Sequence, residues 1–285
     1  MLGFNHTKHA QDNFAKKQEK MMSKLIGKVA LITGASQGMG KSHANIYAKY
    51  GAKLILVDLS ESVKDVAEEI QEKYGVEVIA EVGDVTNPEI MRRIADNGMK
   101  RFGKLNALVC NAGICRFAKF LESSDAELDL HINVNIKGAW HTARAVLPHM
   151  INSGGGAVVI MSSITGNLTS DPGEVSYALS KSALIGFTKA LAVEMAPHNI
   201  RVNAICPGFV ATPMADQVAK QTNPDDPDSV LVELAKAIPM GRLARPDEIG
   251  ELSAFLASEE SSYINGTQIV IDGACTITET VSVGV

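Results

Sequence analysis

Tyr177 and Lys181 stand four residues apart in the run Ser176-Tyr177-Ala178-Leu179-Ser180-Lys181. On a helix that spacing places both side chains on one face, where they can meet over a single ligand. An ammonium beside a phenol favours the phenolate. A hydroxyl that ordinarily titrates near ~10 is then expected to exchange protons closer to neutral pH. Tyr and Lys also fall at this spacing by chance on many amphipathic helices, so the pair gains meaning only from its surroundings.

Five other groups of residues supply them. Thr33-Gly34-Ala35-Ser36-Gln37-Gly38-Met39-Gly40 follows an apolar run and opens a helical stretch. Glycines at a strand-to-helix turn let backbone approach a pyrophosphate, with the helix N-terminus facing its charge. Asp58 closes the next apolar run; an acid there accepts hydrogen bonds from both hydroxyls of an adenosine ribose and repels a 2′-phosphate. No Arg or Lys lies in Ala35-Ser36-Gln37 to receive such a phosphate, so NAD is expected in preference to NADP. Asp58 could equally cap a helix starting near Ser60. Asp84-Val85 and Asn111-Ala112-Gly113 end the third and fourth runs, where ligands of parallel sheets bind, although Asp84 could also cap the helix after Thr86. Ser162-Ser163 end the fifth run and bring a hydroxyl toward Tyr177, or simply form a turn.

The elements that must hold these groups alternate along the chain. Val29–Ile32, Leu54–Val57, Val76–Ile79, Leu105–Val109, Ala157–Met161, Arg201–Ile205 and Gln268–Ile271 read as buried strands separated by helices. Near-continuous apolar strands imply a parallel sheet covered on both faces, and right-handed crossovers wind it doubly. The expected fold is therefore α/β: a single doubly wound Rossmann-fold domain with a seven-stranded parallel sheet over 25–285. A polar, acidic stretch, Gln221–Asp228, followed by helical Val230–Lys236 breaks the rhythm. It suggests a substrate lid at about 212–239, or else a solvated surface excursion.

Composition narrows the class. Of 285 residues 46% are hydrophobic and 21% charged, enough for a sizeable core. A net charge of −5 gives no support for a nucleic-acid partner. Cys110, Cys115, Cys206 and Cys275 show no metal-ligand spacing, so no metal is expected and reduced thiols in a cytoplasmic protein are the simplest reading. No apolar run approaches the ~18 residues of a membrane span. Residues 1–24 lack the features of a signal or transit peptide and read as a flexible arm, with Met21 or Met22 as an alternative start.

Taken together, Thr33-Gly34-x3-Gly38-x-Gly40, Asn111-Ala112-Gly113, Val134-Asn135, Ser163-Ile164-Thr165-Gly166, Tyr177-x3-Lys181 and Pro207-Gly208-x3-Thr212 resemble the short-chain dehydrogenase/reductases in order and approximate spacing. The likeness runs from about Lys24 to Val285. It implies Tyr177 as general acid/base, and Lys181 holding the nicotinamide ribose while lowering the Tyr177 pKa. Ser163 would bond the substrate oxygen, and Asn135 would position a water on a proton path. It implies cofactor contacts from Gly34, Ser36, Gln37, Gly38, Met39 and Gly40, then Asp58, Leu59, Asp84 and Val85. Further contacts would come from Asn111, Ala112 and Gly113, and finally Pro207, Gly208, Val210 and Thr212. The chain departs from the family at Cys110, at Ala274, and in the loop Asn167–Val175, which is one residue longer than usual.

Substrate contacts are expected from Cys115, Arg116, Ser163, Thr165, Asn167, Glu174 and Phe209. Such polar groups suit a small secondary alcohol or ketone such as a polyol, keto-sugar or hydroxy acid as well as a steroid. Arg116 could meet a substrate carboxylate or sulfonate, or a surface acid. Reduction of 3-oxoacyl groups on acyl carrier protein is the first alternative. Asp58 speaks against it, and so does the lack of basic residues at Asn152–Gly156 and Val193. A non-catalytic NAD sensor is the second alternative, although it would not need all of Ser163, Tyr177 and Lys181. The resemblance also implies a homotetramer.

Overall fold

The computed structural model describes residues 24–278. The expected arm, apart from Lys24, and the candidate starts at Met21 and Met22 lie outside the described residues. The elements run β1 (Val29–Thr33), α1 (Gly38–Lys49), β2 (Lys53–Asp58), α2 (Val63–Tyr74), β3 (Val78–Val82), α3 (Pro88–Phe102) and β4 (Ala107–Cys110). There follow α4 (Asp125–His131), a π-helical turn (Ile132–Lys137), α5 (Gly138–Asn152), β5 (Gly156–Met161), α6 (Val175–Met195) and β6 (Ile200–Pro207). The chain then adds α7 (Pro213–Thr222), α8 (Pro227–Ala237), α9 (Pro246–Ala257) and β7 (Gln268–Ile271).

The seven strands form one parallel sheet in the order β3-β2-β1-β4-β5-β6-β7. Successive strand side chains point to opposite faces, and each face has its own core. Ala30, Ile32, Leu54, Leu56, Val159 and Met161 meet α1, α2 and α9. Val29, Leu31, Ile55, Val57, Val158 and Ile160 meet α3, α5 and α6. Burial on both sides explains why the strand sequences are apolar throughout rather than alternating.

Several boundaries differ from the sequence expectation, and each difference has a local cause. The third strand runs Val78–Val82 instead of Val76–Ile79, because its register is fixed by pairs from Leu54↔Val78 to Asp58↔Val82. The fourth starts at Ala107 instead of Leu105. The Leu105 N–H donates to Ser153 Oγ at 3.1 Å instead of to a strand, and Asn106, whose Oδ1 accepts from Val29 N at 2.8 Å, bonds Val29 O and Ala157 N through its backbone just ahead of the first paired residue. The helix expected near Ser60 begins at Val63. The insertion holds two helices where one was expected. Thr212 Oγ1 accepts from Ala215 N to start α7, and Asp226 Oδ1 accepts from Ser229 N to start α8, each followed by a proline at the first helical position.

Candidate active site

Strand order reverses between β1 and β4, which opens a crevice at their carboxyl ends. Two turns build its floor and are stitched together. Thr33 Oγ1 accepts from Asn111 N and Ala112 N, both at 3.1 Å, and Asn111 Nδ2 donates to Thr33 O and Gly34 O at 3.0 and 3.2 Å. The contact is too close for side chains. A Cβ on Gly34 (φ 66°) would sit 2.9 Å from Ala112 Cα, and one on Gly40 would sit 1.8 Å from Gly34 O. The Asn111 Oδ1 atom is buried and has no partner among the described residues.

Above this floor α1 presents its N-terminus. Its N-cap residue Gln37 makes no side-chain cap bond and the first turn carries no acid, whereas α3, α4, α7 and α8 are capped by side chains. The first N–H groups of α1 are thus left for an anion. Asp58 is held rigidly at the end of β2: Oδ2 accepts from Ser36 N at 3.0 Å and Oδ1 from Ser60 N at 2.9 Å. It therefore orders the turn before α2 without capping that helix, whose N-cap residue is Ser62. Asp84 accepts from Thr86 N at 2.8 Å, while the helix after it is capped by Asn87 instead.

A cleft of about 530 Å³ runs along these groups. The glycine turn from Gly34 through Ser36, Gln37, Gly38 and Met39 to Gly40 lines one end with Asp58 and Leu59. Asp84, Val85, Asn111, Ala112, Gly113 and Thr212 line the rest. Pro207, Gly208 and Val210, also expected at the cofactor, do not line it. Gly208 instead packs on Asp272, to whose Cβ an added Cβ would come within 2.8 Å. Residues not anticipated are Gly83, Thr86, Ile114 and Leu130, with Asn133, Pro213 and Met214 from the π turn and the start of α7. Their signal was positional only: they neighbour anticipated residues in sequence. The side-chain-free cradle, the open helix terminus and the acid at the far end fit a dinucleotide.

Beyond Gly113 stands the tyrosine helix, whose Tyr177 and Lys181, also expected at the cofactor, do not line the cleft. A Cβ on Gly113 would lie 3.2 Å from Asn135 Oδ1 and 3.5 Å from Lys181 Nζ. Asn135 sits in the π turn, a local form that recurs at functional sites. Its Oδ1 accepts from Ile114 N at 2.8 Å, and its Nδ2 donates to Ile114 O and Ser180 Oγ at 3.0 and 2.9 Å. Lys181 is buried and donates to Met161 O at 2.9 Å. Ser163 is buried at the end of β5, and its Oγ accepts from Thr165 N at 3.1 Å. Gly166 lets this loop touch the helix, since a Cβ there would fall 2.2 Å from Ala178 O.

The electrostatics correct one expectation. Lys181 does not lower the Tyr177 phenol, which is instead raised above its ordinary value, first by burial. Cys115 and Glu174 add to the rise, and a hydrogen bond with Ser163 opposes it. The cause lies partly in the lysine: burial pushes its ammonium down to about 8, with Cys115 and Cys206 opposing. Its Nζ also lies 5.6 Å from the Tyr177 ring centroid and is engaged by Met161.

Of the residues expected at the substrate, Cys115, Ser163, Thr165 and Glu174 are buried near Tyr177, and Phe209 is half-buried. Arg116 and Asn167 are exposed, and no acid lies within ion-pair distance of Arg116 among the described residues. His131, not anticipated, is buried with its ring edge-on to Tyr177 at 6.3 Å between centroids. Its Nε2 accepts from Arg116 N at 3.2 Å, which makes Nδ1 the donor to Glu127 O at 2.8 Å. The insertion reaches this region through Phe117 N, which donates to Gln221 Oε1 at 3.5 Å.

A family model described as enoyl-(acyl carrier protein) reductase matches residues 34–276. The oxidoreductase UcpA of Escherichia coli (strain K12) is 54% identical over 264 residues, covering 93% of this chain and 100% of that protein. The 3-oxoacyl-[acyl-carrier-protein] reductase FabG of Thermotoga maritima is 37% identical, covering 89% of this chain and 100% of its own. L-sorbose reductase from Gluconobacter frateurii, solved with NADPH and L-sorbose, superposes with a TM-score of 0.86 at 33% identity, covering 90% of this chain and 100% of that one. With the motifs gathered at one sheet edge, these matches place the chain in the short-chain dehydrogenase/reductase family of oxidoreductases.

Proposed function

We propose that the protein is an NAD-dependent oxidoreductase that moves a hydride between nicotinamide and a secondary alcohol or ketone, with Tyr177, Lys181, Ser163 and Asn135 as its machinery. The observation that carries this reading is that Asn135 and Lys181 stand beside Gly113 at the end of the glycine-lined cleft, with Lys181 Nζ 5.6 Å from the Tyr177 ring centroid and Ser163 beside the phenol. When bound, the cofactor supplies the hydride donor or acceptor at its nicotinamide ring. The chain supplies the rest. The first turn of α1 receives the pyrophosphate, and Asp58 receives the adenosine ribose. Pro207 ends β6 and leads through Gly208 and Val210 to Thr212, which lines the cleft and would meet the cofactor.

In reduction, the Tyr177 phenol donates its proton to the oxygen that develops negative charge. In oxidation, the Tyr177 phenolate takes the hydroxyl proton. Ser163 and Tyr177 then aim two donors at one oxygen, the oxyanion-type contribution that proton transfer alone lacks. Lys181 holds a proton close to Tyr177, and Asn135 leads it outward past Ile114. Burial favours the neutral phenol, which suits the acid role in reduction, and the phenolate that oxidation needs is favoured as pH rises. The preference for NAD rests on Asp58, since kinship alone does not choose: the related L-sorbose reductase is solved with NADPH.

Likeness to FabG favours a second reading, reduction of an oxoacyl thioester. Asn152–Gly156 and the exposed Val193 offer no basic docking site for an acidic carrier protein, which speaks for the small-molecule reading. Helices α7 and α8 serve as the lid, and the protein works as a cytoplasmic homotetramer. Turnover of a panel of secondary alcohols and ketones, with an acetoacetyl thioester included, tests the assignment against Tyr177→Phe. The variant is expected to bind NAD normally and to lose turnover by about 10²–10⁴-fold. Retained turnover would overturn the role of Tyr177, and tight NAD binding by the wild type without turnover of any substrate would favour a sensor.

A further inference from the structure

Glu174 stands at the N-cap of α6, three residues before Tyr177 and seven before Lys181. At that spacing all three side chains leave from one helix face, so the carboxyl group borders the same wall as the phenol. It is only 7% exposed, and no Lys, Arg or His lies within ion-pair distance of it among the described residues. Its placement is braced from two sides. Glu174 Oε2 accepts from Asp171 N at 3.0 Å, and the loop before it is held by Ala118 N donating to Gly173 O at 3.0 Å. The Thr165 side chain lies beside its carboxyl group, and Thr165 N donates to Ser163 Oγ at 3.1 Å. Thr165 therefore stands between this carboxylate and the serine expected to hold the reacting oxygen.

A buried carboxylate costs free energy unless donors surround it. It offers roughly four acceptor positions, and the protein's hydrogen bond to it comes from Asp171 N. Further donors must come from what enters the site. A cationic substrate would meet the Lys181 ammonium, and an anionic one would meet Glu174 itself. A neutral hydroxyl meets neither objection. On a helix, i, i+3 neighbours stand about 5–6 Å apart between Cβ atoms, and Glu174 at the N-cap lies close enough to Tyr177 to bear on its phenol. Two hydrogen bonds to oxygens on adjacent carbons can bridge that span.

We propose that Glu174 is a specificity-determining residue that accepts a hydrogen bond from a hydroxyl on the carbon next to the reacting one, so that the substrate is a neutral vicinal diol or the α-hydroxyketone derived from it. The inference rests on the oxidoreductase reading and deepens it. Glu174 exchanges no proton and no electrons in this role. The burial that raises its own pKa and its effect on Tyr177 are consistent with a carboxyl group this close to the phenol.

The test uses matched pairs with NAD⁺: 2,3-butanediol against 2-butanol, and trans-1,2-cyclohexanediol against cyclohexanol. Their ketone counterparts, acetoin and 2-butanone, are assayed with NADH. The wild type is expected to favour the hydroxylated member of each pair in kcat/KM by about 10–100-fold, the range of one hydrogen bond to a charged group. Glu174→Leu is expected to bring that ratio near unity, and Glu174→Gln, which still accepts a hydrogen bond, to keep part of it. NAD binding, followed by titration calorimetry, reports whether each variant is folded. An unchanged ratio in the NAD-binding Glu174→Leu variant, or a wild-type ratio near unity, overturns the role of Glu174 and leaves the oxidoreductase reading intact. Absence of turnover for every pair by an NAD-binding wild type overturns both.

Discussion

At the scale of single residues, the cofactor choice turns on Asp58. Its two carboxylate oxygens already accept from Ser36 N and Ser60 N, so the side chain cannot swing away from an incoming 2′-phosphate. The neighbouring residues that would have to receive such a phosphate are Ser36, Gln37 and Leu59, none of them cationic. Removing the acid removes the repulsion together with the ribose hydrogen bonds. Asp58→Ser is expected to lower kcat/KM with NAD by about 10–100-fold, the worth of one hydrogen bond to a charged group, while activity with NADP rises or holds. The ratio of the two kcat/KM values measures this; a ratio that stays at its wild-type value would show that Asp58 does not select the cofactor.

Within the elements, α1 carries a residue that its cofactor role does not explain. His43 is fully buried, and neither ring nitrogen has a partner among the described residues. Burial alone pushes its pKa from 6.5 down to about 3. Between those values the unfolded chain binds a proton that the folded chain refuses, so stability is fully present above pH ~6.5 and is lost as pH falls toward 3. One such group costs about 2 kcal/mol at pH 5. His43→Leu is expected to raise Tm and to flatten the decline in stability between pH 6.5 and 5, which thermal unfolding across that range would record. An equal acid decline in wild type and variant would assign it to other groups. Nothing in the sequence around Ser42-His43-Ala44 announced this burial, because a polar residue in a helix declares no face of its own. The strands were legible for the opposite reason: runs such as Leu54–Val57 are apolar at every position because both faces are covered. Register was not, since the start of β3 at Val78 is decided by Leu54 across the sheet. The glycine turn, Asp58 and Tyr177-x3-Lys181 were readable because close approach and one-face spacing constrain residue type. The Thr33–Asn111 stitch and the place of His131 beside Tyr177 depend on contacts between distant segments, which spacing along the chain does not encode. The fall of the Tyr177 pKa was misjudged on the same ground, because desolvation is a property of the packed site.

For the whole molecule, the tyrosine helix poses a question of coverage. A surface helix shows one apolar stripe and one polar face, yet α6 turns apolar side chains both inward and outward. Leu184, Ile185, Ala192 and Met195 are buried, while Val175 and Leu179 remain exposed and Val193 is 78% exposed. On neighbouring α5, Trp140 is 47% exposed and rests on Phe187 of α6, with ring centroids 5.7 Å apart. Both helices pack on the same sheet face, so Trp140, Val175, Leu179 and Val193 put exposed apolar side chains on their outer surfaces. A two-fold contact between copies covers such surfaces on both chains at once, each residue meeting its counterpart's neighbours. That arrangement would also brace the helix that carries Tyr177 and Lys181. The homotetramer proposed above is expected to use this surface for one of its interfaces. Replacing Trp140 and Phe187 together by glutamate buries charge at the contact, so light scattering after gel filtration should show the wild-type mass halved, with a lower Tm. A wild type that runs as a monomer at micromolar concentration would overturn the homotetramer, and a double variant of undiminished mass would place the interface elsewhere and leave the exposed tryptophan without a role in assembly.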